Sequence, residues 1–300
     1  KLNVVNVFNS EARVELGTST REAGEHAFEA LESATEDLGR SIDVLVTAPI
    51  NKDNIQSDDF KFPGHTEYLA KKFNSEGEMM ILASKLLKVG VVTGHLPLRD
   101  VADSITFELL FKKIQILNNS LRRDFGVRKP RIAILGLNPH AGDNGLLGKE
   151  EQDVIIPTIE KAQQKGILCF GPYAADGFFG TAQYRHFDAV LAMYHDQALA
   201  PFKALSFEDG VNFTTGLQFV RTSPAHGTAY SIAGKDQADP SSFREAIYMA
   251  IDIFNNRSTF DKINKNPLEI TYPENVGDTS ASDLEDPNPS NETDIPMINA

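Results

Sequence analysis

Three apolar runs in this chain stop at a histidine. KVGVVTGH ends on His95, IAILGLNPH on His140 and AVLAMYH on His195. Each run is short and apolar, as expected of a buried strand. Parallel α/β sheets bind ligands at the carboxyl ends of their strands, so three imidazoles delivered there are placed to converge. A single histidine at a strand end more often just hydrogen-bonds a backbone carbonyl; the threefold repetition is what points to a metal. Such a set suits Zn²⁺ or a similar divalent ion and leaves a position open for a substrate oxygen. Asp196 would either orient His195 or coordinate directly. A bound ion could polarise a hydroxyl or carbonyl, or acidify a water, and the residue types leave both open.

A second group of residues suits an anion. In FPGHTEYLA, Pro63 and Gly64 form a turn, and His65 or Thr66 opens a helix whose amino end favours phosphate or carboxylate. Lys203 follows the third histidine, while Asn212 and Arg221 sit in the β-prone segment VNFTTGLQFVRTS. Arginine can grip a phosphate through paired N–H groups and lysine neutralises it as a point charge. Lys203 and Asp196 are also the candidates for proton transfer. GDNGLLGKEE, from Gly142, lacks both the Ser or Thr that follows a P-loop lysine and the G-x-G-x-x-G spacing, so ATP hydrolysis is unsupported.

The elements that must position these residues alternate between helix and strand. Helical spacing runs from Thr18 to Gly39 with Thr20 as cap, from Ser104 to Arg122, from near Glu150, and from Ser241 to Asn255 with Asp239 or Ser241 as cap. LNVVNVF reads as a strand, IDVLVTAP as a central parallel strand, MMILAS and LLKVGVVTGH as two strands of a hairpin, and RIAILGL and ILCFGPY as two more. The pattern predicts an α/β fold with a largely parallel sheet. Beyond Asn264 the composition turns to Pro, Asn, Ser, Asp and Glu, which predicts a flexible acidic tail.

The chain has 300 residues and 41% hydrophobic content, enough for one large or two smaller domains. Its formal net charge of −13, without a basic stripe, argues against a nucleic-acid partner. The lone Cys169, in the apolar run ILCF, excludes an intrachain disulfide, suits a reducing cytosol and reads as a buried thiol. No apolar run approaches membrane-spanning length, so a cytoplasmic location is expected.

The long segments TAPINK, FPGHTEYLA, TGHLPLRDV, LNPHAGDNGLLGKEE, AMYHDQALAPFK and GVNFTTGLQFVRTSPAHGTAYSIAGK, in that order between Thr47 and Lys235, resemble the 4-hydroxythreonine-4-phosphate dehydrogenase family. The resemblance implies an isocitrate/isopropylmalate dehydrogenase-like two-domain α/β fold. It divides the chain into residues 1–60 (remainder of the first domain), 61–235 (metal and substrate binding), 236–264 (a helix returning to the first domain) and 265–300 (the acidic tail). The family's Gly- and Pro-rich stretch of the type GDPAGIGPE has no counterpart, so the amino-terminal part is expected to be missing. Smaller departures are Ala198, where Gly is usual, and Gln218, where Pro is usual.

The implied ligands of one divalent ion (Zn, Mg or Co) are His95, His140 and His195, with His195 coming from the partner in a homodimer with shared active sites. His65, Thr66, Lys203, Asn212 and Arg221 are implied to bind the phosphorylated substrate. The implied reaction is oxidation of 4-phosphooxy-L-threonine by NAD or NADP, followed by decarboxylation. A phosphorylated threonate or erythronate as substrate, and ligand binding without turnover, are the alternatives.

Overall fold

The computed structural model describes residues 3–8, 13–75 and 77–267. Eight strands, β1 Val44–Val46, β2 Met79–Ala83, β3 Lys88–Val91, β4 Arg131–Leu135, β5 Leu168–Tyr173, β6 Ala189–Ala192, β7 Val211–Thr215 and β8 Val220–Pro224, form one sheet in the order β1-β8-β7-β2-β3-β6-β4-β5. The pairs β1–β8, β3–β6, β6–β4 and β4–β5 are parallel. The β8–β7, β7–β2 and β2–β3 pairs are antiparallel. The sheet is thus mostly parallel, with an antiparallel insert that follows from two short turns. β2 returns through β3 as the expected hairpin, and β7 returns through β8 at Gly216, whose φ of +85° suits glycine.

Among the described residues eight α-helices accompany the sheet: α1 Arg21–Asp37, α2 His65–Lys72, α3 Val101–Ser104, α4 Phe107–Arg123, α5 Ile156–Gln164, α6 Ala175–Gly180, α7 His195–Ser206 and α8 Ser241–Asn264. Period-two alternation divides the strands between two helix layers. Ile81, Ile132, Ile134 and Leu191 face Leu110, Ile114, Leu117 and Leu121 of α4, with Ile159 of α5 and Ile253 of α8. Leu82, Ala133, Leu135 and Val190 face the other way, onto Phe178 of α6 and Phe202 of α7. A third cluster joins Leu31 of α1, Leu45 of β1, Phe60 and Leu69 of α2.

Several expectations are corrected. Residues 3–8 form no strand, because Val4 and Val5 lie exposed with no ladder beside them. β1 lies at the sheet edge, pairing only with β8 among the described residues. The run ending at His195 splits into β6 and α7, and Pro201 is accommodated inside that helix. α8 extends well past Asn255, and Asp239 Oδ1 accepts from Ser241 N at its start. β1, from the segment assigned to the first domain, pairs with β8, from the segment assigned to the second. The expected acidic tail lies, from residue 268 onward, outside the described residues.

Candidate active site

The carboxyl ends of β1, β3 and β6, the start of α2 and the β7–β8 hairpin enclose a cavity of about 230 Å³. Its floor is Arg221, which is 4% exposed. The Thr47 hydroxyl accepts from Arg221 Nη2 at 2.7 Å and from Nε at 3.2 Å, and the Thr214 hydroxyl accepts from Nη1 at 3.3 Å. Among the described residues the guanidinium has hydroxyl partners but no carboxylate within ion-pair distance. Burial lowers its pKa to about 10, so it remains charged at neutral pH. The charge of Glu67 reaches it without forming an ion pair, and because a buried cation lacking a contacting counter-ion is costly, an anionic ligand would supply one.

His65 and Thr66, the first residues of α2, line the same cavity, as does Asn212 of β7. Thr66 Oγ1 lies 3.2 Å from Thr214 Oγ1. Burial, reinforced by the charges of Arg221 and Lys52, lowers the His65 pKa to about 3. His65 is therefore neutral and can donate to an oxyanion without adding charge. Asn212 Oδ1 is buried with no hydrogen-bond partner among the described residues, an acceptor left open for a ligand donor.

His95 follows β3 and His195 opens α7 directly after β6, and because β3 and β6 are neighbours their rings stand 5.8 Å apart. Each ring has a carboxylate on Nδ1: Glu67 Oε1 at 3.4 Å from His95 and Asp196 Oδ1 at 2.7 Å from His195. A carboxylate there selects the Nδ1–H tautomer and leaves the Nε2 lone pair outward, which is how metal-binding histidines are held. His95 Nε2 faces Lys52 Nζ at 3.4 Å, as an acceptor would. The pair therefore fits a divalent cation in donor chemistry. It is incomplete in number, since no group of three His, Cys, Asp or Glu that could hold a metal forms among the described residues.

The structure does not bring every expected residue to the cavity. His140 is exposed on the loop after β4 and is absent from the lining. It sits in a run of five left-handed residues, His140 to Asn144, with φ between 42° and 81°. Outside glycine that conformation costs about 1–2 kcal/mol per residue. Lys203 is exposed on α7 and also lies outside the lining, and the Asp196 side chain is mostly exposed.

Sequence reasoning missed Lys52, Glu67 and His226, all of which line the cavity. Lys52 in INK, just past the Pro that stops β1, and Glu67, two residues after His65 in the first turn of α2, were the available signals. A larger cavity of about 820 Å³, bounded by α1, the 51–54 turn and the 228–238 loop, shares Ala48, Pro49, Ile50, His226 and Gly227 with the first.

Comparison with known proteins places the chain in a family. The family described as "Pyridoxal phosphate biosynthetic protein PdxA" matches residues 1–250. A 4-hydroxythreonine-4-phosphate dehydrogenase of Bacteroides thetaiotaomicron is 54% identical over 287 residues, 95% of this chain and 79% of the relative. The crystal structure of the Klebsiella pneumoniae 4-hydroxythreonine-4-phosphate dehydrogenase superposes with a TM-score of 0.69 at 37% identity, covering 79% of this chain and 73% of that one. An isocitrate dehydrogenase of Methylococcus capsulatus, at 14% identity and a TM-score of 0.50 over 81% of this chain and 77% of that one, shares the fold alone. With a family match over residues 1–250 and a 54% identical relative, the chain belongs to the PdxA family of pyridoxal phosphate biosynthetic proteins.

Proposed function

We propose that the chain is an NAD- or NADP-dependent dehydrogenase of 4-phosphooxy-L-threonine, which is 4-hydroxythreonine-4-phosphate. It removes hydride from C3 to the nicotinamide, and the resulting β-keto acid loses CO₂ to give 3-amino-2-oxopropyl phosphate for pyridoxal 5′-phosphate synthesis. The observation that carries this reading is Arg221, a buried guanidinium with no ion-paired carboxylate, flanked by neutral His65 and Thr66, while the open acceptor of Asn212 would take a hydroxyl or ammonium donor of the substrate. That floor suits a phosphate, with Arg221 supplying charge and directional N–H groups. Lys52, between the start of α2 and His95, supplies a second positive charge, which would serve the substrate carboxylate.

His95 and His195 would hold a Zn, Mg or Co ion together with His140, with ligands shared between two copies in a homodimer. Bound there, the ion supplies Lewis-acid polarisation of the substrate hydroxyl. Glu67 and Asp196 keep both imidazoles in the ligand tautomer. Asp196 and Lys203 remain the candidates for proton transfer, and the exposure of Lys203 suits service to a second copy's cavity. The larger adjoining cavity has room for the dinucleotide, and its shared wall at Pro49 and His226 would bring the redox end to the substrate. Residues 61–235 would then carry the metal and most of the substrate contacts, and residues 1–60, which add Lys52 and the Ala48–Ile50 wall, would form the first domain with residues 236–264. No helix among the described residues is long and apolar enough to cross a membrane, and a cytoplasmic location is proposed.

The metal-loaded protein should reduce NAD or NADP, followed by near-ultraviolet absorbance, when given 4-phosphooxy-L-threonine, and a chelator should abolish the signal. Absence of reduction with either nucleotide would overturn the reading, and a stronger response to phosphothreonate would redirect it to that acid.

A further inference from the structure

One buried charge takes no part in the mechanism above. Glu151 is 2% exposed and stands in the wide helical turn, Glu151–Ile155, that leads into α5. Its Oε1 accepts from the backbone N–H groups of Leu137 at 2.7 Å and Asn138 at 2.8 Å, and Oε2 accepts from Asn138 Nδ2 at 3.0 Å. Among the described residues it has no cationic partner within ion-pair distance, so these N–H donors are its polar partners in the interior.

The same carboxylate shapes the loop that follows β4. A Cβ at Gly142 would come within 2.6 Å of Glu151 Oε2, and one at Gly136 within 3.1 Å of Oε1, so the loop backbone is wrapped closely on it. Gly142 is the middle residue of the left-handed run His140–Asn144, in which four of the five residues are not glycine. A turn of that kind persists only where its surroundings over-determine it, and such strain gathers at functional positions. Glu151, pinning residues 137 and 138 on one side and packing on Gly142 on the other, is the group that does so.

We propose that Glu151 is a positioning residue for the metal: its buried carboxylate holds the left-handed turn that presents His140, and it acts on metal affinity through His140 without touching the ion. This rests on the reading of His140 as a ligand.

The test is Co²⁺ affinity of the full chain, measured by competition with a chromophoric chelator. Glu151→Ala should weaken binding by roughly tenfold or more, the range seen when a residue supporting a metal ligand is removed. Glu151→Gln keeps an oxygen on the two backbone N–H groups and should weaken it by less than about threefold. In a His140→Ala background, Glu151→Ala should cause no further loss, because the two share one route. Wild-type affinity in Glu151→Ala, or losses that add in the double variant, would overturn the proposal. Wild-type affinity in His140→Ala would remove the ligand reading and the proposal with it, whereas His140→Ala weakened beside an unaffected Glu151→Ala removes only the role of Glu151. Should Glu151→Ala not fold, Gly142→Ala, which drives a methyl group onto the carboxylate, is expected to weaken binding at least about fivefold, and a folded Gly142→Ala with wild-type affinity counts as refutation.

Discussion

His65 shows how burial decides the state of a binding group. Its pKa falls from 6.5 to about 3, first through burial and then through Arg221 and Lys52. Between those values the unfolded chain binds a proton that the folded chain does not, so stability rises with pH across that window and is lost on acidification. From pH 6 to pH 5 this one group should cost about 1 kcal/mol of unfolding free energy. Urea titrations at both pH values should show His65→Gln with a shallower dependence than wild type; an identical slope would mean that His65 protonates in the folded protein. Neutral His65 leaves the positive charge on the cavity floor to Arg221, so His65 should serve phosphate only as a neutral N–H donor, and lowering the pH from 7 to 5 should add no affinity through a charge on its ring.

At the scale of elements, the wall of the larger cavity depends on one close approach. Gly24 of α1 packs so tightly on the 51–55 turn that a Cβ would fall on the Asn54 carbonyl. Asn54 Nδ2 donates to the Thr20 carbonyl at 2.9 Å, and Asn51 Oδ1 accepts from the Asp53 and Asn54 N–H groups, so turn and helix are a single unit. Gly24→Ala must therefore displace the turn. We expect a loss of about 1–3 kcal/mol, seen as a lower Tm, together with a raised KM for the nucleotide and an unchanged KM for the phosphorylated substrate. A variant with both KM values unchanged would detach this wall from cofactor binding.

At the scale of the whole molecule, two donors converge in one chain and a third does not. His95 and His195 meet because β3 and β6 are neighbours, while His140 and Lys203 are exposed outside the cavity lining. The proposed second copy could bring its His140 and Lys203 to the pair that His95 and His195 form within one chain, whereas the family resemblance implies that His195 comes from the partner; the two arrangements are separable. If His95 and His195 of one site come from different subunits, mixing the inactive His95→Ala and His195→Ala proteins leaves one intact site per heterodimer. Activity should then recover to about a quarter of wild type in a statistical mixture of C₂ dimers. No recovery would show that both ligands belong to the same chain, as their spacing within one chain permits.

The sequence by itself determined the local elements and the identity of the candidate donors. Thr20 and Thr106 cap α1 and α4 by accepting from Ala23 N and Leu109 N, and Ile114, Leu117 and Leu121 supply the buried stripe of α4. These features arise from contacts within a few residues, so spacing alone makes them legible. The placement of β1 at an edge, the antiparallel insert, the break between β6 and α7 and the separation of His140 from His95 arise from pairings across tens or hundreds of residues. No local pattern encodes them. Lys52 and Glu67 were overlooked for the same reason: a lysine after a strand and a glutamate in a first helical turn look like solvated charges until the sheet closes them around His95.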